Sequence, residues 1–253
     1  MALKLEKKRQ TPAVTTYEGK AKILIPTDRP GVLRMQFKDD ATAFNAQKKG
    51  QIRGKGEINC TISSYLFQYL QQQGIPTHFL AQVAPAEMEV TALEMFALEV
   101  VVRNRAAGSL CRETGLPLGM ELEPPLVEFY YKNDALGDPL LTPDRLRLLQ
   151  LATPDQVQAL TRLAEQINTH LRRFFAECGL LLIDFKLEFG RDRAGQIVLA
   201  DEISPDTCRL WLAGETDPTK RVVDKDRFRY DLGEVESAYR LVLERVLQQA
   251  PRS

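Results

Sequence analysis

Histidine is nearly missing from this sequence: only His78 and His170 occur in 253 residues. That argues against a zinc centre built on paired histidines and against a histidine-based nucleophile triad. An excess of either charge is missing too. Lys plus Arg number 34 and Asp plus Glu number 34. No global field therefore recruits nucleic acid or an anionic membrane, and any anionic ligand must meet a local cluster of bases. The four cysteines, Cys60, Cys111, Cys178 and Cys208, are far apart and show no metal-ligand spacing. They read as free thiols of a reducing, cytoplasmic compartment. No apolar run approaches the ~20 residues of a membrane span. The charged start, Met1 to Gln10, does not read as a secretory segment. What remains for chemistry is carboxylate, lysine, arginine and a metal ion. Hydrophobic residues at 44% and charged residues at 27% fit a soluble globular protein. The length suffices for one large or two small domains.

The organising stretch is Leu182-Ile183-Asp184-Phe185-Lys186-Leu187-Glu188-Phe189-Gly190. Its alternation predicts a strand with Asp184, Lys186 and Glu188 on one face and Ile183, Phe185, Leu187 and Phe189 on the other. The polar run 191–196 predicts a hairpin loop, and Ile197–Ala200 a second strand leading into Asp201-Glu202-Ile203-Ser204-Pro205-Asp206. Such a hairpin could simply show water a charged face. The second acidic cluster, closed by Pro205, shifts the reading towards a metal or phosphate site. Mg²⁺ is commonly held by one or two carboxylates plus substrate phosphates. Lys186 would then balance charge and touch an anionic substrate.

The rest of the chain supplies bases. Tyr17-Glu18-Gly19-Lys20-Ala21-Lys22 reads as a turn feeding a strand, with Lys20 and Lys22 on one face if extended. It lacks the P-loop pattern, and it is either a phosphate cradle or a solvated edge. Residues 39–55 read as a long polar loop in which Lys48, Lys49, Arg53 and Lys55 either close over an anion or stay solvated. A helical stripe runs from Glu57 to Gln73 and ends at Gly74. His78 reads as structural. Arg103-Asn104-Arg105-Ala106-Ala107-Gly108-Ser109 leaves a buried strand at a small-residue turn and reads as a phosphate grip, or, for Arg105, as a surface charge. Residues 117–125 read as loop and 126–131 as strand. Thr142-Pro143 and Thr153-Pro154 predict helix starts, the second opening a long core helix to Cys178. A last helix begins near Gly233. Residues 1–14 read as a loose arm.

Taken together and in order, these motifs resemble the SAICAR synthetase family over roughly residues 16–247. The resemblance rests on Tyr-Glu-Gly-Lys-Ala-Lys at 17–22, Asp-Asp-Ala-Thr-Ala-Phe-Asn at 39–45, and Leu-Glu-Val-Val-Val-Arg-Asn-Arg-Ala-Ala-Gly-Ser at 98–109. It rests equally on Tyr-Lys-Asn-Asp at 131–134, the central strand at 182–190, Asp-Glu-Ile-Ser-Pro-Asp at 201–206, and Asp-Lys-Asp-Arg-Phe-Arg at 224–229. It implies a two-lobed α+β fold similar to ATP-grasp enzymes and kinases. The N-terminal sheet lobe would span 1–97, the larger α/β lobe 98–253, and nucleotide would lie between them.

It also implies an ATP- and Mg²⁺-dependent ligase of purine biosynthesis, joining L-aspartate to an imidazole ribonucleotide carboxylate through an acyl phosphate, in a cytoplasmic homodimer. Residue by residue, Gly19, Lys20, Ala21 and Lys22 would hold the ATP phosphates, and Met95 would line the adenine pocket. Lys132 would lie near the nucleotide, while Glu188 and Asp201 would carry Mg²⁺. Arg103, Ser109 and Arg209 would bind the 5′-phosphate. Lys22, Asp184 and Lys186 would serve the chemistry, and the loop at 39–55 would help hold aspartate. Ala97, Thr91-Ala92 and Leu212 depart from the residues usual in the family. They fall at the adenine edge and in a local loop, and none is a phosphate or metal residue. A kinase of a small hydroxyl substrate and a non-catalytic nucleotide-binding module are the rival readings.

Overall fold

The computed structural model describes residues 16–44 and 47–249. The arm expected over 1–14 and Asn45 of the second motif lie outside them. The chain opens with strands β1 (Tyr17–Glu18), β2 (Lys22–Pro26), β3 (Val32–Phe37), β4 (Asp40–Ala43) and β5 (Lys48–Gln51), then helix α1 (Lys55–Gln72). Strands β6 (Phe79–Ala84), β7 (Glu87–Thr91), β8 (Glu94–Met95) and β9 (Leu98–Arg105) follow, then α2 (Ser109–Thr114), β10 (Glu121–Tyr131) and β11 (Leu140–Leu141). The remainder is α3 (Pro143–Leu148), α4 (Pro154–Glu177), β12 (Leu180–Arg191), β13 (Ile197–Ala200), β14 (Cys208–Leu212), α5 (Asp226–Arg229) and α6 (Val235–Gln248).

Two antiparallel sheets carry the molecule, so the class is α+β. One has the order β1-β2-β3-β7-β6. The other has the order β11-β10-β9-β12-β13, with β14 and β8 pairing further stretches of β12. The long strand β12 is thus shared: its first half pairs with β14 and β9, its second half with β13 and β8. Helix α1 packs on β3, β6 and β7 and against α6, while α4 covers β9, β10 and β12. One apolar cluster runs from Met35 through Phe67 of α1 to Leu171 and Phe175 of α4 and Val242 of α6. Burial of that kind, worth about 25 cal/mol per Å² of apolar surface, is the main stabilising term.

Local chemistry explains most boundaries. Thr142 and Thr153 accept from the backbone N–H groups of Arg145 and Gln156, and Gln156 completes a capping box. Helix α1 is capped from a distance: Asp39 accepts from Gly54 N at 3.0 Å and Gly56 N at 2.9 Å. A Cβ at Gly56 would lie 2.7 Å from the Phe37 carbonyl oxygen, so only glycine lets the helix start there.

Three expectations need correction. The segment 39–55 is not a loop but the β4–β5 hairpin followed by the start of α1. Strand β10 begins at Glu121, earlier than expected, and carries Pro124 and Pro125 across a register shift opposite β9. Ile183 does not share a face with Phe185. Leu182 opposes Leu210 and Asp184 opposes Arg209, which leaves Ile183 as the extra residue of a bulge. It packs with Ala107, Trp211 and Val222, away from the cluster that holds Phe185, Leu187 and Phe189.

Candidate active site

The hairpin of β12 and β13 places Glu188 opposite Ala200, so Asp201 follows directly beside it. Asp201 turns the chain with φ 61°, a left-handed conformation that aspartate tolerates better than most residues. Glu188 and Asp201 converge on one ammonium: Lys186 Nζ donates to Glu188 Oε1 and, at 3.2 Å, to Asp201 Oδ2. It also donates to Glu99 Oε1 at 3.3 Å. The other oxygens have lysine partners of their own, Glu188 Oε2 with Lys132 and Asp201 Oδ1 with Lys22. Lys22 further donates to Glu202 Oε1 at 2.7 Å, and Glu202 Oε2 accepts from Ser204 Oγ at 2.6 Å.

Burial alone would lower the Lys22 and Lys186 ammonium pKa values. The carboxylates beside them outweigh it, Asp201 and Glu202 for Lys22, Asp201, Glu188 and Glu99 for Lys186, and both stay above their ordinary range. Burial likewise opposes ionisation of Asp201, yet Lys186, Lys22 and Lys132 hold its carboxyl well below the usual carboxylate range.

Gly19, Lys20 and Ala21 form the tip between β1 and β2, where Gly19 N donates to Lys22 O at 2.8 Å. Because Lys20 sits on that tip and not on the strand, its ammonium leaves Lys22 and donates to Asp134 at 2.7 Å. Met95 lies on β8, about half exposed, opposite Gly190 of β12. A Cβ at Gly190 would lie 2.6 Å from Leu93 Cβ, so glycine is what lets β8 approach.

A second group is built on arginine. Five acceptors surround the buried Arg103 guanidinium: Glu128 at 2.7 Å, Asp184 at 2.9 Å, Ser109 and Tyr130 at 3.0 Å, and Ala107 O at 3.5 Å. Arg209 donates to Asp184 Oδ2 and to Asp226, both at 2.8 Å. A Cβ at Gly108 would lie 2.6 Å from Arg209 Nη2, so this glycine clears the guanidinium. Burial works against the Arg209 charge, but Asp184 and Asp226 hold its pKa above the ordinary value. A cavity of about 240 Å³ opens between these groups. Its lining includes Glu99 and Lys186 as well as Arg103, Ser109, Asp184, Arg209 and Arg229. Lys186 is therefore the point where the lysine–carboxylate network and the arginine group meet.

Lys55, read as a cation that could close over an anion, is instead buried on α1. It donates to Asp206 at 2.9 Å, while Tyr239 OH donates to the other Asp206 oxygen at 2.7 Å. Lys48 is engaged by Asp231 at 2.6 Å. From sequence, neither Glu99 nor Tyr130 is singled out for the site, and Glu202, Asp226 and Arg229, which stand in the family motifs, receive no individual role. Glu99 had a signal: Glu99, Val101 and Arg103 alternate on β9, whose Arg103 opposes Asp184 and Val101 opposes Lys186.

Glu188 and Asp201 are the side chains that could hold a Mg²⁺ ion. Among the described residues no three His, Cys, Asp or Glu side chains form a metal cage. Glu188 and Asp201 reach one shared cation all the same, and Mg²⁺ asks for no more than one or two carboxylates when phosphates and water complete its shell.

The model of one family, SAICAR synthetase, matches residues 15–246. The phosphoribosylaminoimidazole-succinocarboxamide synthase of Thermosynechococcus vestitus is 66% identical, with 91% of this chain and 95% of that protein covered. Its counterpart in Nostoc punctiforme is 64% identical, over 92% of this chain and 95% of that protein. Among solved structures, a SAICAR synthetase in complex with ADP superposes with a TM-score of 0.88 at 46% identity, covering 94% of this chain and all of that one. The synthase of Ehrlichia chaffeensis gives 0.88 at 40% identity, covering 93% and 99%. The chain therefore belongs to the SAICAR synthetase family.

Proposed function

We propose that this chain is the ATP-dependent ligase that joins L-aspartate to the imidazole ribonucleotide carboxylate of purine biosynthesis, releasing ADP and phosphate. The observation that carries the reading is Lys186, which belongs to the lysine–carboxylate network and lines the arginine cavity as well. A carboxylate is a poor electrophile, and transfer of a phosphoryl group makes it a good one. In this reading the cavity holds the imidazole nucleotide, with its 5′-phosphate towards Arg103, Ser109 and Arg209 and its carboxylate towards Lys186. Arg103, surrounded by protein acceptors, orders Asp184 and Ser109.

Lys22 and Lys132 restrain the triphosphate, with Lys20 at the rim. Glu188 and Asp201 would hold Mg²⁺, which neutralises charge on the transferring phosphoryl group. The substrate carboxylate oxygen attacks the γ-phosphorus and ADP leaves. The aspartate amine then attacks the acyl carbon, phosphate departs with the bridging oxygen, and the amine gives up a proton. Alignment and charge neutralisation supply most of the acceleration in such reactions. A site of Lys, Arg and acids suits them.

The division into lobes at residues 97 and 98 is part of the proposal. The five-stranded sheet precedes it, and all strands of the other sheet except β8 follow it. So are the homodimer, placement in the cytoplasm, Met95 at the adenine, and the segment 39–55 as a help in holding aspartate. The cysteines are unpaired, three of them buried, which suits a reducing compartment. No described helix is long and apolar enough to cross a membrane. The test is ADP release with each substrate omitted in turn. The ligase needs both aspartate and the imidazole carboxylate, whereas a kinase of a small hydroxyl compound would release ADP without them.

A further inference from the structure

Lys186 occupies the space between the two carboxylates assigned to the metal, and this arrangement sets how the metal can arrive. All four oxygens of that pair already accept from ammonium groups: Glu188 from Lys186 and Lys132, Asp201 from Lys22 and Lys186. Glu99 supplies Lys186 with a third carboxylate at 3.3 Å. The Lys186 backbone is fixed in β12, with its N–H donated to Thr207 O at 2.9 Å, so only the side chain can yield. A divalent ion arriving alone would have to push an ammonium off both carboxylates. It would leave that ammonium close by with weaker anionic contacts, and the two cations would repel. A polyphosphate removes the difficulty, because it offers the displaced lysines new anionic oxygens while the ion takes over the carboxylates.

We infer that Lys186 is a resident cation that keeps free divalent ions out of the Glu188–Asp201 pair, so that ion and nucleotide enter together. The inference rests on the reading of that pair as the metal ligands. It is tested with Mn²⁺ as the probe, by water-proton relaxation, in the absence of both acid substrates. The wild-type protein shows no tight Mn²⁺ binding alone and binds it once ADP is added. Lys186→Met binds Mn²⁺ alone at least about tenfold more tightly than wild type does.

Wild-type protein that holds Mn²⁺ equally well with and without ADP overturns the inference, whether or not the variant folds. So does a variant with native circular dichroism that gains no affinity for Mn²⁺ alone. Failure of wild-type protein to hold Mn²⁺ even with ADP removes the metal assignment and the inference together. Failure of the ligase reading shows separately, in ADP release.

Discussion

The Asp184 carboxylate lies between two guanidinium groups, accepting from Arg103 at 2.9 Å and from Arg209 at 2.8 Å. The three side chains come from three antiparallel strands, β9, β12 and β14, brought level by register: Asp184 opposes Arg103 on one side and Arg209 on the other. Asp184→Asn keeps the shape and removes the charge that both arginines share. Breaking a buried pair of this kind costs about 3–5 kcal/mol. The variant is expected to unfold at lower urea concentration, and a midpoint equal to wild type would mean that the arginines do not depend on it.

Lys22 and Asp201 form a contact between β2 and the segment after β13, beside the Lys22–Glu202 pair. Both sit where the triphosphate is placed. Lys22→Ala and Asp201→Ala are each expected to lower turnover by about 100-fold or more, the scale of losing one charge contact in a transition state. The measurement is kcat at saturating ATP, aspartate and imidazole carboxylate, with folding verified by circular dichroism. Unchanged kcat in both variants would remove these residues from the chemistry.

Arg209 lies in the cavity wall and pairs with Asp184 and Asp226, not with the carboxylates of the lysine network. Arg209→Ala is expected to raise KM for the imidazole nucleotide by about tenfold or more while moving KM for ATP little, as loss of one charge-assisted contact predicts. An effect confined to ATP would place the arginine group at the wrong substrate.

Much of this was legible in the sequence because strand alternation is strict. Asp184, Lys186 and Glu188 at every second position and a hairpin after Gly190 placed the acids beside each other, and β12 with β13 delivers that pairing. The helix starts at Thr153 and Thr142 were legible because capping is local chemistry. What stayed hidden depends on distant partners. The bulge at Ile183 follows from pairing with β14, which no local pattern announces. Lys55 reads as a loop cation until Asp206, 151 residues further on, buries it. Lys20 parts from Lys22 because the strand begins only at Lys22 and Asp134 lies within reach of the turn.

His78 provides a pH-dependent prediction. It is buried edge-on against Phe67, 5.2 Å between ring centroids, and burial pushes its pKa down to about 4 from 6.5. Between pH 6.5 and about 4 the unfolded chain therefore binds a proton that the folded chain refuses. Stability from this residue is fully present above pH 6.5 and falls with pH through that window, by up to about 1.4 kcal/mol per pH unit. Urea titrations at pH 7 and pH 5 are expected to show a smaller loss on acidification for His78→Phe than for wild type. Equal losses would mean that the ring is already protonated when folded.

Phosphorylation of the imidazole carboxylate beside Lys186 is the central step, and heavy-oxygen label in that carboxylate follows it directly. If the carboxylate oxygen attacks the γ-phosphorus, one labelled oxygen appears in the inorganic phosphate released with each turnover, as mass spectrometry of the phosphate would show. Phosphate without label, formed while the product amide accumulates, would contradict it.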